Sequence, residues 1–363
     1  MLKLALLGDI GLIGKYSNED NKFNEERIFS EVKEVLSNAD IVVGNLESPL
    51  TNEKIKSGVK SVHIKTNPID VHTLQYLGVD YLNLANNHIY DYGRKGVVET
   101  IQVLEEKGIG YFGFNGKKVY IEKNGARLAI NGYCCYSTNP IGMGKNNINP
   151  LEPAKIEQEL EADKNEGYLS ILSMHFGEEH IAFPNIDHIK VARKLSTITP
   201  YVLHGHHPHV LQGIEECQES LLIYSLGNFC FDHDYTARLR AVAENNTKPE
   251  NLRTAIVLID VENNKITNWD VIPFQVVEGI LRKDDSGAIL RDINQWSRAL
   301  TDEEEVYKNR RSNELRKVKK IQVKKRDFLW YKKRMNLRTL RLIISNYRNK
   351  VGYKKNIKRF IGE

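Results

Sequence analysis

The sequence predicts an α/β protein in which helices cover sheets on both sides. Short apolar runs alternate with stretches of helical period, and most runs end abruptly in polar or turn-forming residues. Two pairs of runs also flank asparagine-bearing turns.

Residues 2–7, apolar apart from Lys3, reach Asp9 before a secretory leader's core is complete, so they read as a buried first strand. Residues 24–37 follow a helical period with Ile28, Val32 and Val35 on one face. Residues 40–43 form a second strand, 68–77 a helix, 81–84 a strand and 93–107 a helix with Val97, Ile101 and Leu104 in one stripe. Two strands flank Lys123-Asn124-Gly125, a hairpin signal. A helix over 153–164, a strand over 168–174, a helix over 186–197 and strands over 201–204 and 220–225 follow. A hairpin of 253–261 with 266–277 turns at Asn263-Asn264. The predicted body spans residues 1–278, and 279–363 read as a charged, mostly helical C-terminal extension.

The chain has 363 residues, 41% of them hydrophobic, enough for one large domain with an appendage or for two domains. Its net charge of +5 hides an asymmetry. Residues 308–363 hold 21 Lys and Arg against 3 acidic residues, a net of +18, and the rest of the chain carries −13. A basic tail on an acidic body points to an anionic partner. Phe328, Leu329, Trp330 and Tyr331 interrupt its basic runs, and Leu337, Leu340, Ile344 and Tyr347 follow helical spacing. Such helices bind anionic bilayers or acidic polymers, with self-packing as the bland alternative and nucleic acid the less favoured partner. Cys134, Cys135, Cys217 and Cys230 form no CxxC pair and read as reduced core thiols. No apolar run reaches transmembrane length, so the expected location is cytoplasmic or peripheral to a membrane.

The chemistry sits at strand ends. The first three strands lead into Gly8-Asp9, Gly44-Asn45-Leu46-Glu47 and Ala85-Asn86-Asn87-His88. Later ones lead into His175-Phe176-Gly177-Glu178, His204-Gly205-His206-His207-Pro208-His209 and Ser225-Leu226-Gly227-Asn228-Phe229. Each alone is more often a turn or a cap. Together they stand where the carboxyl ends of α/β strands converge on a ligand crevice. Oxygen and imidazole donors without thiolate favour Mn, Fe or Zn.

These ordered motifs resemble those of the CapA family of capsule and poly-γ-glutamate proteins, over about residues 2–277. The resemblance implies a four-layer αββα sandwich of the calcineurin-like metallophosphoesterase type, with two divalent metal ions. It makes Asp9, Asn87, His175, His207 and His209 metal ligands, Glu47 the bridging carboxylate and His88 the proton donor to the leaving group. His206 falls outside this set. Where the wider superfamily has Asp-x-His, this chain has Asp9-Ile10-Gly11, a departure that weakens one metal position. The implied function is hydrolysis of a phosphoester or γ-glutamyl amide in an anionic polymer or capsule precursor. The rival is a non-catalytic subunit of a membrane-associated capsule-synthesis assembly. Arg94, shortly after His88, is a candidate anion holder, though a solvated helix-start charge is the simpler reading.

Overall fold

The structure, a computed structural model, describes residues 1–18, 24–58, 60, 62–135, 147–232, 235–236, 249–324 and 337–363. Two sheets pack face to face. The first contains β1 (Leu2–Gly11), β2 (Ile41–Leu46), β3 (Tyr81–Asn83), β4 (Gly110–Phe112), β11 (Asn228–Phe231), β12 (Arg253–Glu262), β13 (Lys265–Val277) and β14 (Ile280–Lys283). Its order is β14-β13-β12-β1-β2-β3-β4, with β11 also pairing with β1. The second contains β5 (Val119–Lys123), β6 (Ala126–Cys134), β7 (Leu169–His175), β8 (Tyr201–His206), β9 (Ile214–Cys217) and β10 (Ser220–Ile223), ordered β5-β6-β7-β8-β10-β9.

Pleating explains the uninterrupted apolar runs, because alternate residues must satisfy two different layers. Leu4 and Leu6 of β1 point between the sheets, toward Leu128, Ile130, Ile171 and Val202. Ala5 and Leu7 point outward, into a core shared with α1 (Glu25–Leu36), α2 (Val71–Leu77) and α3 (Gly93–Glu106). On the far side, Leu172, Met174, Tyr201 and Leu203 pack beneath α4 (Pro153–Asn165) and α5 (Ile186–Ser196). Helices thus lie outside both sheets.

Local signals set several boundaries. Asn24 caps α1, its side chain accepting from the Arg27 amide at 2.8 Å. Asn124 and Gly125 both have positive φ, at 50° and 77°, as a two-residue hairpin turn requires. Asn263 and Asn264, at 51° and 62°, repeat the arrangement between β12 and β13.

The first sheet runs on past Glu278. β14 pairs antiparallel with β13, and Leu281 is buried. Helix α6 (Ala288–Ala299) adds Ile289 and Ile293 to the core between the sheets. α7 (Glu304–Lys324) and α8 (Leu337–Ile361) lie on the outer face of the second sheet, contributing buried Tyr307, Tyr353, Ile357 and Phe360. Described residues beyond 278 thus contribute to the same cores as the residues before it. Phe328, Leu329, Trp330 and Tyr331 lie outside the described residues. No helix among the described residues is long and apolar enough to cross a membrane.

Candidate metal centre

Three parallel strands end side by side. Asp9 on β1 is in register with Asn45 on β2 and with Asn228 on β11. The register shifts around Asp9, which turns its carboxylate out of the ladder and toward the second sheet's strand ends. There β7 delivers His175, and β8 runs into the turn carrying His207 and His209. At Gly205 a Cβ would stand 2.0 Å from the Tyr224 carbonyl oxygen, so only glycine lets β8 approach this closely. His207 and His209 then take positive φ, 96° and 57°, a costly conformation for non-glycine residues and one that accumulates at functional sites.

All six residues expected as ligands are brought together. His175 Nε2 is 2.9 Å from Asn87 Oδ1 and 3.7 Å from Glu47 Oε1. His209 Nε2 is 3.5 Å from Glu47 Oε1, and its Nδ1 is 3.5 Å from Asp9 Oδ2 and 2.8 Å from Asn228 Oδ1. The His207 amide donates to Asp9 Oδ2 at 3.1 Å. The Asn45 side-chain amide donates to Asp9 Oδ1 at 2.9 Å. His206 also reaches this carboxylate, with Nδ1 3.1 Å from Asp9 Oδ1. His204, by contrast, bonds to Ser173 and the Leu7 carbonyl and ties the two sheets together.

The electrostatics suit a cation. Burial works to raise the Asp9 pKa, but contact with His206 and the fields of His206, His209 and His175 hold the carboxyl well below the usual carboxylate range. For Glu47, burial and then repulsion from Asp9 and Glu179 push the pKa well above normal. Burial drives His175 well below its ordinary value and lowers His207 to about 4. Neutral imidazole is the form that ligates a metal. Both Glu47 carboxyl oxygens and His207 Nδ1 are buried without a hydrogen-bond partner, an arrangement that costs free energy and that a cation would relieve. Ligand atoms of Glu47, His207 and His209 lie within 4.8 Å of one another, so this buried group is able to hold a metal ion.

His88 stands beside the cluster. Its Nδ1 lies 2.6 Å from Asp91 Oδ2, so a carboxylate fixes the ring. Asp91 is fully buried, accepts from the Ile64 amide at 2.8 Å and pairs with Lys60, which also meets the Asn87 carbonyl. Burial lowers the His88 pKa against the opposing pull of Asp91. Sequence reading missed Asp91, Lys60 and the structural role of Asn45. The spacing of Asp91 three residues after His88 is the signal that was available for the first. Lys60 lies in a long loop without a local signal. Arg94 is exposed.

Position 11 has its own explanation. A Cβ there would lie 2.6 Å from Cδ2 of Phe231, whose ring centroid stands 4.9 Å from that of His209. The space a side chain at position 11 would need is taken by an aromatic ring.

Residues 3–233 match the family described as bacterial capsule synthesis protein PGA_cap. The chain is 31% identical over 294 residues to the capsule biosynthesis protein CapA of Bacillus anthracis, covering 77% of this chain and 68% of the relative. It is 32% identical over 289 residues to the PGA biosynthesis protein CapA of Bacillus subtilis (strain 168), covering 77% and 72%. A probable polyglutamine synthesis accessory protein of Mycobacterium tuberculosis is 24% identical over 227 residues, covering 57% and 60%. With its motifs, its strand-end cluster and these matches in agreement, the chain belongs to the PGA_cap family of bacterial capsule synthesis proteins.

Proposed function

We propose that the protein is a divalent-metal-dependent hydrolase that cleaves a phosphoester or γ-glutamyl amide bond during capsule or poly-γ-glutamate synthesis or processing. The observation that carries this reading is the fully buried Glu47 carboxyl group, which has no hydrogen-bond partner and is ringed by His175, His207 and His209. The relatives' names supply the polymer class. Two face-to-face sheets with helices outside both support a calcineurin-like framework.

Asp9, Glu47, Asn87, His175, His207 and His209 would hold the metal, with Mn, Fe or Zn suited to this donor set. A divalent ion in such a site supplies Lewis acidity, acidifying water and polarising an acceptor oxygen. Asp91 accepts the Nδ1 proton of His88, which leaves Nε2 as the nitrogen that exchanges a proton with the departing group. Lys60 neutralises Asp91 from the other side and keeps it from drawing that proton away. The basic C-terminal extension would meet an anionic polymer or membrane surface.

One observation favours the non-catalytic assembly-subunit reading: the Phe231 ring beside Gly11 removes a ligand position that a two-metal hydrolase uses. Metal analysis of the purified protein, followed by assays on phosphoesters and γ-glutamyl amides, separates the two. The hydrolase reading expects bound metal, turnover, and a His88→Ala variant that keeps its metal while losing about 100-fold or more in rate. Metal-bound protein with no turnover on either bond class favours the assembly subunit.

A further inference from the structure

The residues after ligand His175 form a rim over the centre. The Phe176 amide donates to the His206 carbonyl at 3.1 Å, and the His180 amide to the Pro208 carbonyl at 2.7 Å. Residues 176–180 are thereby laid along the turn that carries His207 and His209. His180 has a φ of 65°, and its ring centroid lies 6.4 Å from that of His209. Glu179 Oε2 lies 3.8 Å from His180 Nε2, and Glu179 is close enough for its charge to act on Glu47, His88 and His207. These two side chains thus stand beside the metal centre without belonging to the expected ligand set.

What holds this rim is a helix more than a hundred residues away. Tyr307, Arg311 and Glu314 are spaced four and three apart, so they share one face of α7. The Tyr307 hydroxyl donates to the Pro184 carbonyl at 2.8 Å, and Arg311 Nε donates to the same oxygen at 3.1 Å. Glu314 accepts from the Ala182 amide at 3.1 and 3.2 Å. The Arg311 guanidinium also pairs with Glu178, which accepts from Asn185 across the base of the segment at 3.2 Å. Tyr307 is buried and packs edge-on against Phe183, ring centroids 5.9 Å apart. Two backbone positions of one loop, Ala182 and Pro184, and the Glu178 side chain are therefore engaged by a single helix face. That helix lies beyond the residues that match the family.

We infer that α7 is part of the site's framework and that Arg311 is a positioning residue. Through Glu178 and Pro184 it fixes residues 177–185, and with them Glu179 and His180, at the rim of the metal centre. The inference rests on the metal-centre reading only for its effect on the ion. The clamp itself is a contact between two parts of this chain.

The test uses the full chain and two readouts. Hydrogen exchange without added metal compares wild type with Arg311→Ala and with the gentler Glu178→Gln. Peptides covering 177–185 should exchange about tenfold faster in both variants, while β1 and β12 keep their protection. Titration with Co2+, followed by its visible spectrum, should show altered bands and about tenfold weaker binding in Arg311→Ala, as outer-shell losses produce. Unchanged exchange in 177–185 in either folded variant overturns the clamp. Faster exchange with an unchanged cobalt spectrum and affinity overturns the role at the centre. Failure of wild type to bind Co2+ sinks the metal-centre reading and with it that role, while exchange still decides the clamp. Should Arg311→Ala lose protection throughout, Glu178→Gln, which keeps size and removes charge, provides the decision.

Discussion

Restoring an imidazole by Gly11→His is expected to fail as a repair of the metal site. Phe231 occupies the space the new Cβ needs, and forcing a side chain into a packed core costs about 1–3 kcal/mol. A denaturant melt should show the loss, with no gain in bound metal. Glu47→Gln should act differently in two conditions. In chelated protein it exchanges one buried polar group without a hydrogen-bond partner for another of the same size, so the melting temperature should change little. With metal added, the stabilisation that wild type gains should vanish. A variant equally destabilised in both conditions would show that Glu47 serves packing alone. At this scale much of the site was legible, because ligand-type residues sit directly after apolar strands that can be read individually. Lys60 was not, since it acts by contact with Asp91 and the Asn87 carbonyl and leaves no periodic trace, and Asp91 offered only its spacing from His88. Glu179, His180 and Arg311 escaped for the same reason, the last touching a residue 133 positions away.

At the scale of elements, His188 on α5 lies between Phe176 and Tyr353 of α8, with its Nε2 3.3 Å from the Tyr353 hydroxyl. Burial is the largest cause of its fall from the ordinary value to about 4, with Glu178 and Asp187 pulling upward and Arg311 downward. Between about pH 6.5 and 4 the unfolded chain binds this proton and the folded chain does not. Stability is therefore lost as pH falls through that window, by up to roughly 3 kcal/mol at its lower end. Urea melts between pH 4 and 7 should show a shallower acid dependence in His188→Gln than in wild type, by about one proton. An unchanged slope would place the titration elsewhere. Element types were readable where period or turn chemistry was strong, as in β1, α1 and the two hairpins. Short strands were not: β4 has three residues and β9, β11 and β14 four each, too few to show a period, and their strand state depends on a neighbour's edge.

Across the whole molecule, the C-terminal segment has two faces. Tyr353, Ile357 and Phe360 enter the core, while Ile344, Tyr347 and Val351 on the same helix remain exposed beside Arg348, Lys354 and Lys355. Cutting the chain after Glu278 removes Leu281, Ile289, Ile293 and Tyr307 as well. Large buried apolar side chains contribute about 1.5–3 kcal/mol each, against a total of roughly 5–15 kcal/mol. The truncated chain is therefore expected to lose its cooperative thermal transition. The intact chain is expected to sediment with vesicles of anionic lipid at low salt and to release as salt rises, because exposed charges are screened. Sedimentation that ignores salt, or no sedimentation at all, would remove the bilayer from the candidates and leave acidic polymer.

Asp9 lies on a strand of the first sheet and Glu47 and Asn87 follow two others, while His175 lies on a strand of the second and His207 and His209 follow another. An ion held by these residues as proposed would draw its donors from both sheets and act as a clasp across the seam between them. The chain's resistance to unfolding would then grow with the logarithm of the free-ion concentration. In a cell short of that ion, the same polypeptide would have a looser seam.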